Sequence, residues 1–149
     1  MDMREAARAR LTQNLTDRTR ALGDHLQHGE TPVGSSAGDL VLQEPMPPKS
    51  WSTDQIKAYF PEPEGDFTLT DRTLYYRDPR GEVYTLSLAS IAGWRQRRSE
   101  RHEYLPPRLQ RRILEIEVTT SDGRRYLMES GKIFARQIRR TGRIRRRRW

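Results

Sequence analysis

In several short runs between residues 67 and 129 the apolar side chains recur at every second position, and this alternation restricts those runs to strands that bury one face. Leu114, Ile116 and Val118 alternate with Glu115, Glu117 and Thr119, so the two sets lie on opposite sides of one strand. Phe67 and Leu69 alternate with polar neighbours, and a second run covers Thr73 to Arg77. Asp78-Pro79-Arg80-Gly81 reads as a turn into Val83 to Leu88, where Tyr84, Leu86 and Leu88 share a face. Ile91 to Arg98 forms a further strand, and Ser121-Asp122-Gly123 is a hairpin turn leading into Arg124 to Glu129. A flat sheet of these strands leaves its apolar side in water. Curling the sheet and plugging one end with Phe134 and Ile138 removes that cost.

The flanking segments carry other signals. Residues 3 to 28 read as a helix, with Leu11, Leu15, Leu22 and Leu26 recurring among good helix formers and Gly29 placed to end it. Arg18 interrupts this stripe, so the helix needs a partner surface, either its own domain, a second copy or another protein. Residues 29 to 50 are rich in Gly, Pro and Ser and read as a linker, relieved only by Leu40-Val41-Leu42, a run suited to docking. Ser52 and Gln55 match a capping box for a short helix over Thr53 to Phe60. Residues 100 to 111, with Pro106 and Pro107, read as a polar loop. Ser130 is positioned to cap a last helix whose Ile133, Phe134 and Ile138 face one side, with Gly142 at its end. The expected organisation is a helical arm over 1–28, a linker over 29–50, a domain over 51–141 and a basic tail over 142–149.

This succession resembles the PH-like superfamily. The stretch from Gly65 through Leu69, Thr70 and Leu74 to Tyr76 is similar to the "G-x-x-x-L-T-x-x-x-L" opening of bacterial PH and GRAM domains. Ser87-Leu88-Ala89-Ser90-Ile91 resembles their "s-l-x-x-I" segment, and Thr119 to Tyr126 their "T-x-D-G-x-x-Y" hairpin. The resemblance covers residues 62 to 141. It departs from eukaryotic PH domains in carrying Phe134 where they usually place a Trp, which puts the likeness with the GRAM or bacterial branch. It implies a mainly β fold with helices (α+β): a PH-like antiparallel β-barrel capped by a C-terminal α-helix, behind an N-terminal helical arm. Such barrels dock proteins or inositol lipids.

Charge is distributed unevenly along the 149 residues. The 28 Lys and Arg against 20 Asp and Glu leave +8, yet residues 1 to 94 hold 10 basic and 14 acidic side chains while residues 95 to 149 hold 18 and 6. The field of the last third therefore favours polyanions. With no cysteine, disulfides, thiolate metal sites and cysteine nucleophiles are excluded. No apolar run approaches the roughly 20 residues that span a bilayer, and the first 30 residues lack the apolar core of a signal peptide, so a cytoplasmic protein is expected.

Catalytic chemistry finds little support. The histidines are His25, His28 and His102, and the first two, three apart with only Asp24 and Glu30 nearby, read as a solvated helix end rather than a metal site. No Gly-x-Ser-x-Gly elbow and no phosphate-cradling glycine loop occurs. Glu115 and Glu117 share a strand face, which reads as solvent-facing partners for neighbouring arginines. The expectation is a non-enzymatic binding module without metal or cofactor.

Basic clusters are the main functional signal. Arg95, Arg97, Arg98 and Arg101 lie on and after one strand, and Arg108, Arg111 and Arg112 close the following loop. Arg136, Arg139, Arg140 and Arg143 recur at helical spacing, and Arg145, Arg146, Arg147 and Arg148 follow in the tail. Arginine forks bind phosphate oxygens bidentately, and Trp94, Tyr104 and Trp149 are candidates for stacking on bases or for an interface. Nucleic acid, DNA or RNA, is the expected partner. The alternatives are an anionic membrane and a protein partner or self-association through residues 3–28.

Overall fold

The computed structural model describes residues 2–43, 65–98 and 113–143. Among these residues helix α1 (Met3–Ala21) precedes seven strands, β1 (Pro32–Gln43), β2 (Gly65–Thr70), β3 (Thr73–Arg77), β4 (Val83–Ser87), β5 (Ile91–Arg98), β6 (Ile113–Thr120) and β7 (Arg125–Gly131), and helix α2 (Lys132–Thr141) follows them. The strands form one antiparallel sheet in the order β4-β3-β2-β1-β7-β6-β5, curled into a half-barrel. The alternation in the sequence is the cause. Phe67, Leu69, Leu74, Tyr76, Trp94, Ile116, Val118 and Met128 turn to one side and pack with Phe134, Ala135 and Ile138 of α2.

The predicted turns form for local reasons. At 78–82 the Asp78 carboxylate accepts from the N–H groups of Arg80 and Glu82, both at 2.9 Å, and Gly81 takes φ +93°. At 120–124 Thr120 N–H bonds Arg124 O at 2.9 Å and Gly123 takes φ +87°. The final helix starts as expected but without the expected cap. Gly131 is its N-cap and makes no side-chain bond, because Ser130 is buried at the end of β7 and its hydroxyl donates to Gly131 O. Gly142 is its C-cap.

Within the segment expected to be a linker, residues 29–43 are not one. Most of the segment is β1, the middle strand of the sheet, so the domain begins well before residue 51. The first half of β1 pairs with β2, from Pro32↔Thr70 to Gly38↔Gly65, and the second half pairs with β7, from Gly38↔Ser130 to Gln43↔Arg125. Small residues permit this switch between neighbours. A Cβ on Gly38 would overlap the carbonyl oxygen of Glu129 and lie 2.8 Å from the Phe67 ring. The composition that imitates a linker is what lets three strands and a helix crowd around one another.

The helical arm is also shorter than expected and partly docked. Helix α1 ends at Ala21, and a 3-10 turn over Gly23–His25 follows, with Gly23 at φ +54°. Leu22 is buried, and Arg18 Nη1 donates to Ser35 Oγ at 3.0 Å. Arg18, which interrupts the leucine stripe, thus serves as the polar contact to β1. Residues 2 to 13 are all exposed. The helix lies over β1 and β2, on the side carrying Thr68, Thr70 and Tyr75, opposite the side of Phe67 and Leu69.

A hydrogen-bonded cluster fastens the segment between α1 and β1. The Glu30 carboxylate accepts from Tyr75 Oη at 2.5 Å, from Thr70 Oγ1 and from the N–H of Gln27 at 3.2 Å. Burial by itself raises this carboxyl, but the hydrogen bonds from Thr70, Tyr75 and Gln27 outweigh it and hold Glu30 below its ordinary value of 4.5. A depressed carboxyl contributes stability that is complete above that ordinary value and is lost as pH falls through the folded one. Glu30→Gln should therefore lower stability at neutral pH and flatten the acid limb of a stability profile, measured by urea denaturation between about pH 3 and 7. An acid limb identical to that of the parent chain would contradict the assignment.

Candidate polyanion-binding surface

Helix α2 has ten residues and contains no acid. At 3.6 residues per turn, Lys132, Arg136, Arg139 and Arg140, with Arg143 just past the end, fall on one side, while Phe134, Ala135 and Ile138 fall on the other. Burial follows this division: all five cations are exposed and the three apolar residues are in the core. No carboxylate of the described residues forms an ion pair with any of the five. Ile133, expected to face inward with Phe134 and Ile138, is 72% exposed because it lies about 100° around the helix from Phe134 and about 140° from Ile138.

The β5 arginines are in a different electrostatic position. Arg95 stands opposite Glu117 and Arg97 opposite Glu115 in the β5–β6 register, and Arg98 stands opposite Leu114. Opposite charges directly across a ladder attract one another, so the charge of Arg95 is offset within the sheet. Because Trp94 points into the core beside α2, the next residue, Arg95, belongs to the reverse side of the sheet. Arg95 and the α2 strip therefore do not share one cationic surface. The body of the sheet lies between them.

Two further expectations are corrected by burial. Trp94 is fully buried and is part of the core, so it offers no ring face to a base. Glu115 is 5% exposed and not a solvent-facing partner; it lies in register with Glu129, which lies in register with Asp39, and all three are buried. The sequence alternation marks which side of β6 they occupy, but a second apolar face is not required for a side to be covered. Elsewhere, Arg77 is bound by Asp66 at 2.8 Å and Arg124 lies 3.5 Å from Asp122, so neither adds to the free positive charge. Arg101, Tyr104, Arg108, Arg111, Arg112, Arg145, Arg146, Arg147, Arg148 and Trp149, together with the short helix expected over Thr53 to Phe60, lie outside the described residues.

One side of α2 is thus a row of cations with no counter-charge among the described residues. Anion binding is what such a row does well. Guanidinium groups on successive turns of a rigid helix meet phosphate oxygens with little loss of side-chain order beyond that of binding itself.

Comparison with known proteins adds the fold alone. No protein-family model and no curated protein matches the chain. Its backbone is similar to the C-terminal domain of an unknown protein from Leishmania infantum. The TM-score is 0.50 at 14% identity, over 85% of this chain and 95% of that one.

Among the described residues no helix is long and apolar enough to cross a membrane. Sequence reasoning missed a feature next to the cationic strip: a cleft lined by Leu11, Val33, Ile133 and Gln137. The exposed Ile133 was its only available signal, and helical spacing assigned that residue to the core side.

Proposed function

We propose that this chain is a non-enzymatic, PH-like binding module that contacts a polyanion, namely nucleic-acid phosphate, through the cationic side of α2 and the arginine-rich tail after it. What supports the PH-like part is the succession of a curled antiparallel sheet and a closing C-terminal helix, together with the motifs over residues 62 to 141. The binding part rests on one observation: Lys132, Arg136, Arg139, Arg140 and Arg143 are exposed with no carboxylate of the described residues against them.

Phosphate neutralisation releases counterions, so the reading makes a salt-dependent prediction. Affinity for a mixed-sequence, fluorescein-labelled oligonucleotide, followed by anisotropy, should fall at least tenfold between about 50 and 200 mM salt. Replacing Arg136, Arg139 and Arg140 together by Gln should lower the slope of log K against log salt by roughly 2 to 3, about one unit per lost phosphate contact. Removing residues 143 to 149 should flatten it further. Because the three arginines are exposed, their replacement should change stability by no more than about 0.5 kcal/mol each. Absence of oligonucleotide binding at low salt overturns the proposal, and capture of vesicles containing anionic lipid without oligonucleotide binding would favour the membrane instead.

A further inference from the structure

Among the described residues strand β1 is paired on both flanks only at Gly38. Residues 32–37 pair with β2, whereas the pairing with β7 starts at Gly38↔Ser130, where β7 is about to end at Gly131 and the chain turns into α2. Successive residues of an antiparallel strand send their N–H and C=O groups alternately to one flank and the other. Hence about half of the backbone groups between Val33 and Ala37 point towards a flank with no strand among the described residues. An unpaired edge of this kind is a template for another chain.

The edge is the floor of a cleft of about 730 Å³ between α1 and α2. Leu11 and Leu15 come from one wall, Ile133, Phe134 and Gln137 from the other, and Val33 from the floor. Leu11 is 63%, Val33 36% and Ile133 72% exposed, three of the five large apolar side chains left open to solvent among the described residues. Their concentration in one place, rather than their exposure, makes them a surface to be covered.

Charge defines what covers it. No acid lines the cleft. Lys132 lies at its margin, Arg136 and Arg140 continue the same wall one and two turns further on, and Arg4 and Arg8 precede Leu11 and Leu15 on the same side of α1. The first turn of α2 adjoins the cleft and has no side-chain cap, so its N–H groups add positive potential. A second copy of the chain is a poor occupant, since α1 with its N-cap Asp2 carries Arg4, Arg8, Arg10, Arg18 and Arg20 against Asp2, Glu5 and Asp17, and α2 has no acid at all. A lipid chain fills the apolar walls but leaves the strand edge unpaired.

We propose that this cleft receives an extended acidic peptide segment of a partner protein, which adds to the edge of β1 as a further strand, seats apolar side chains against Leu11, Val33 and Ile133, and sets its carboxylates against the α2 cations. The site is separate from the oligonucleotide reading except for the cationic margin that the two share.

A random 12-residue peptide library displayed on phage and selected on the full chain tests it. Selected sequences should alternate acidic and apolar residues with period two. Synthetic peptides of those sequences should lose at least tenfold in affinity when the chain carries Leu11→Ser and Ile133→Ser, two exposed positions whose change leaves net charge unaltered. N-methylation of alternate peptide bonds should cost a similar factor in one phase and little in the other, and bound peptide should slow amide hydrogen exchange within Val33 to Ala37. The same double variant should bind the mixed-sequence oligonucleotide within about twofold of the parent, so failure of either proposal is seen separately. Selection of nothing, of basic or uncharged sequences, or of peptides with apolar residues at helical spacing would overturn the inference. So would binding of vesicles of anionic phospholipid that is lost in the double variant while no peptide is selected.

Discussion

Trp94→Ala should remove about 3–5 kcal/mol of stability, a large fraction of the usual total of about 5–15 kcal/mol, and most of it if the chain lies at the lower end of that range. The indole is fully buried, and it packs in the cluster of Phe67, Ile116, Val118, Phe134 and Ile138 that joins the sheet to α2. Truncation to Ala leaves a cavity whose walls come from several strands and a helix, none free to close on it alone. Trp94→Phe should be much milder, at about 1–2 kcal/mol. It keeps a ring in the site and removes an Nε1–H that has no acceptor where it is buried. Urea denaturation of the two variants gives the comparison. Were Trp94 instead a stacking residue, Trp94→Ala would weaken oligonucleotide binding and leave the midpoint unmoved.

Gly38→Ala is the second large effect, an expected loss of about 3 kcal/mol, the upper part of what overpacking costs. Gly38 is where β1 exchanges β2 for β7 as its neighbour, with Gly65 across from it on one flank and Ser130 on the other. The methyl group would overlap the Glu129 carbonyl oxygen and press on the Phe67 ring. Neither obstacle is the end of a flexible side chain. One is the backbone of β7 and the other a core ring whose centroid lies 5.0 Å from that of Tyr76 and 5.9 Å from that of Phe134, both in tilted contact. Relief requires β1 and β7 to separate, which weakens the ladder holding the two halves of the sheet together. Gly81→Ala makes a useful control: a Cβ there meets nothing within 4 Å, and the only cost is the positive φ of +93°, roughly 1–2 kcal/mol. A Gly38→Ala chain as stable as the parent would show that β1 does not run between β2 and β7.

Several features are legible in the order of the amino acids. The period-two pattern locates β2 to β7, the turn residues at Asp78 to Gly81 and Ser121 to Gly123 join them correctly, and helical spacing separates the cationic side of α2 from Phe134 and Ile138. These are local properties, because side-chain direction along a strand or helix follows from backbone geometry alone. The miss at β1 comes from the same rules. Gly34, Ser35, Ser36 and Gly38 carry little strand propensity, yet a Cβ at Gly34 would collide with Gln137 and one at Gly38 with Glu129. Tertiary crowding selects small residues there, and propensity counts them as a linker.

The candidate site divides in the same way. Composition establishes that the last third is cationic, and spacing places Arg136, Arg139 and Arg140 together, because net charge and helical phase need no knowledge of neighbours. The order of the strands sets Arg95 and Arg97 across from Glu117 and Glu115, hides Trp94 in the core, and leaves residues 33–37 of β1 without a strand on one flank among the described residues. Each of these depends on which distant segments meet. That is decided by how the sheet curls and where its helices dock, and no local run of the sequence contains it.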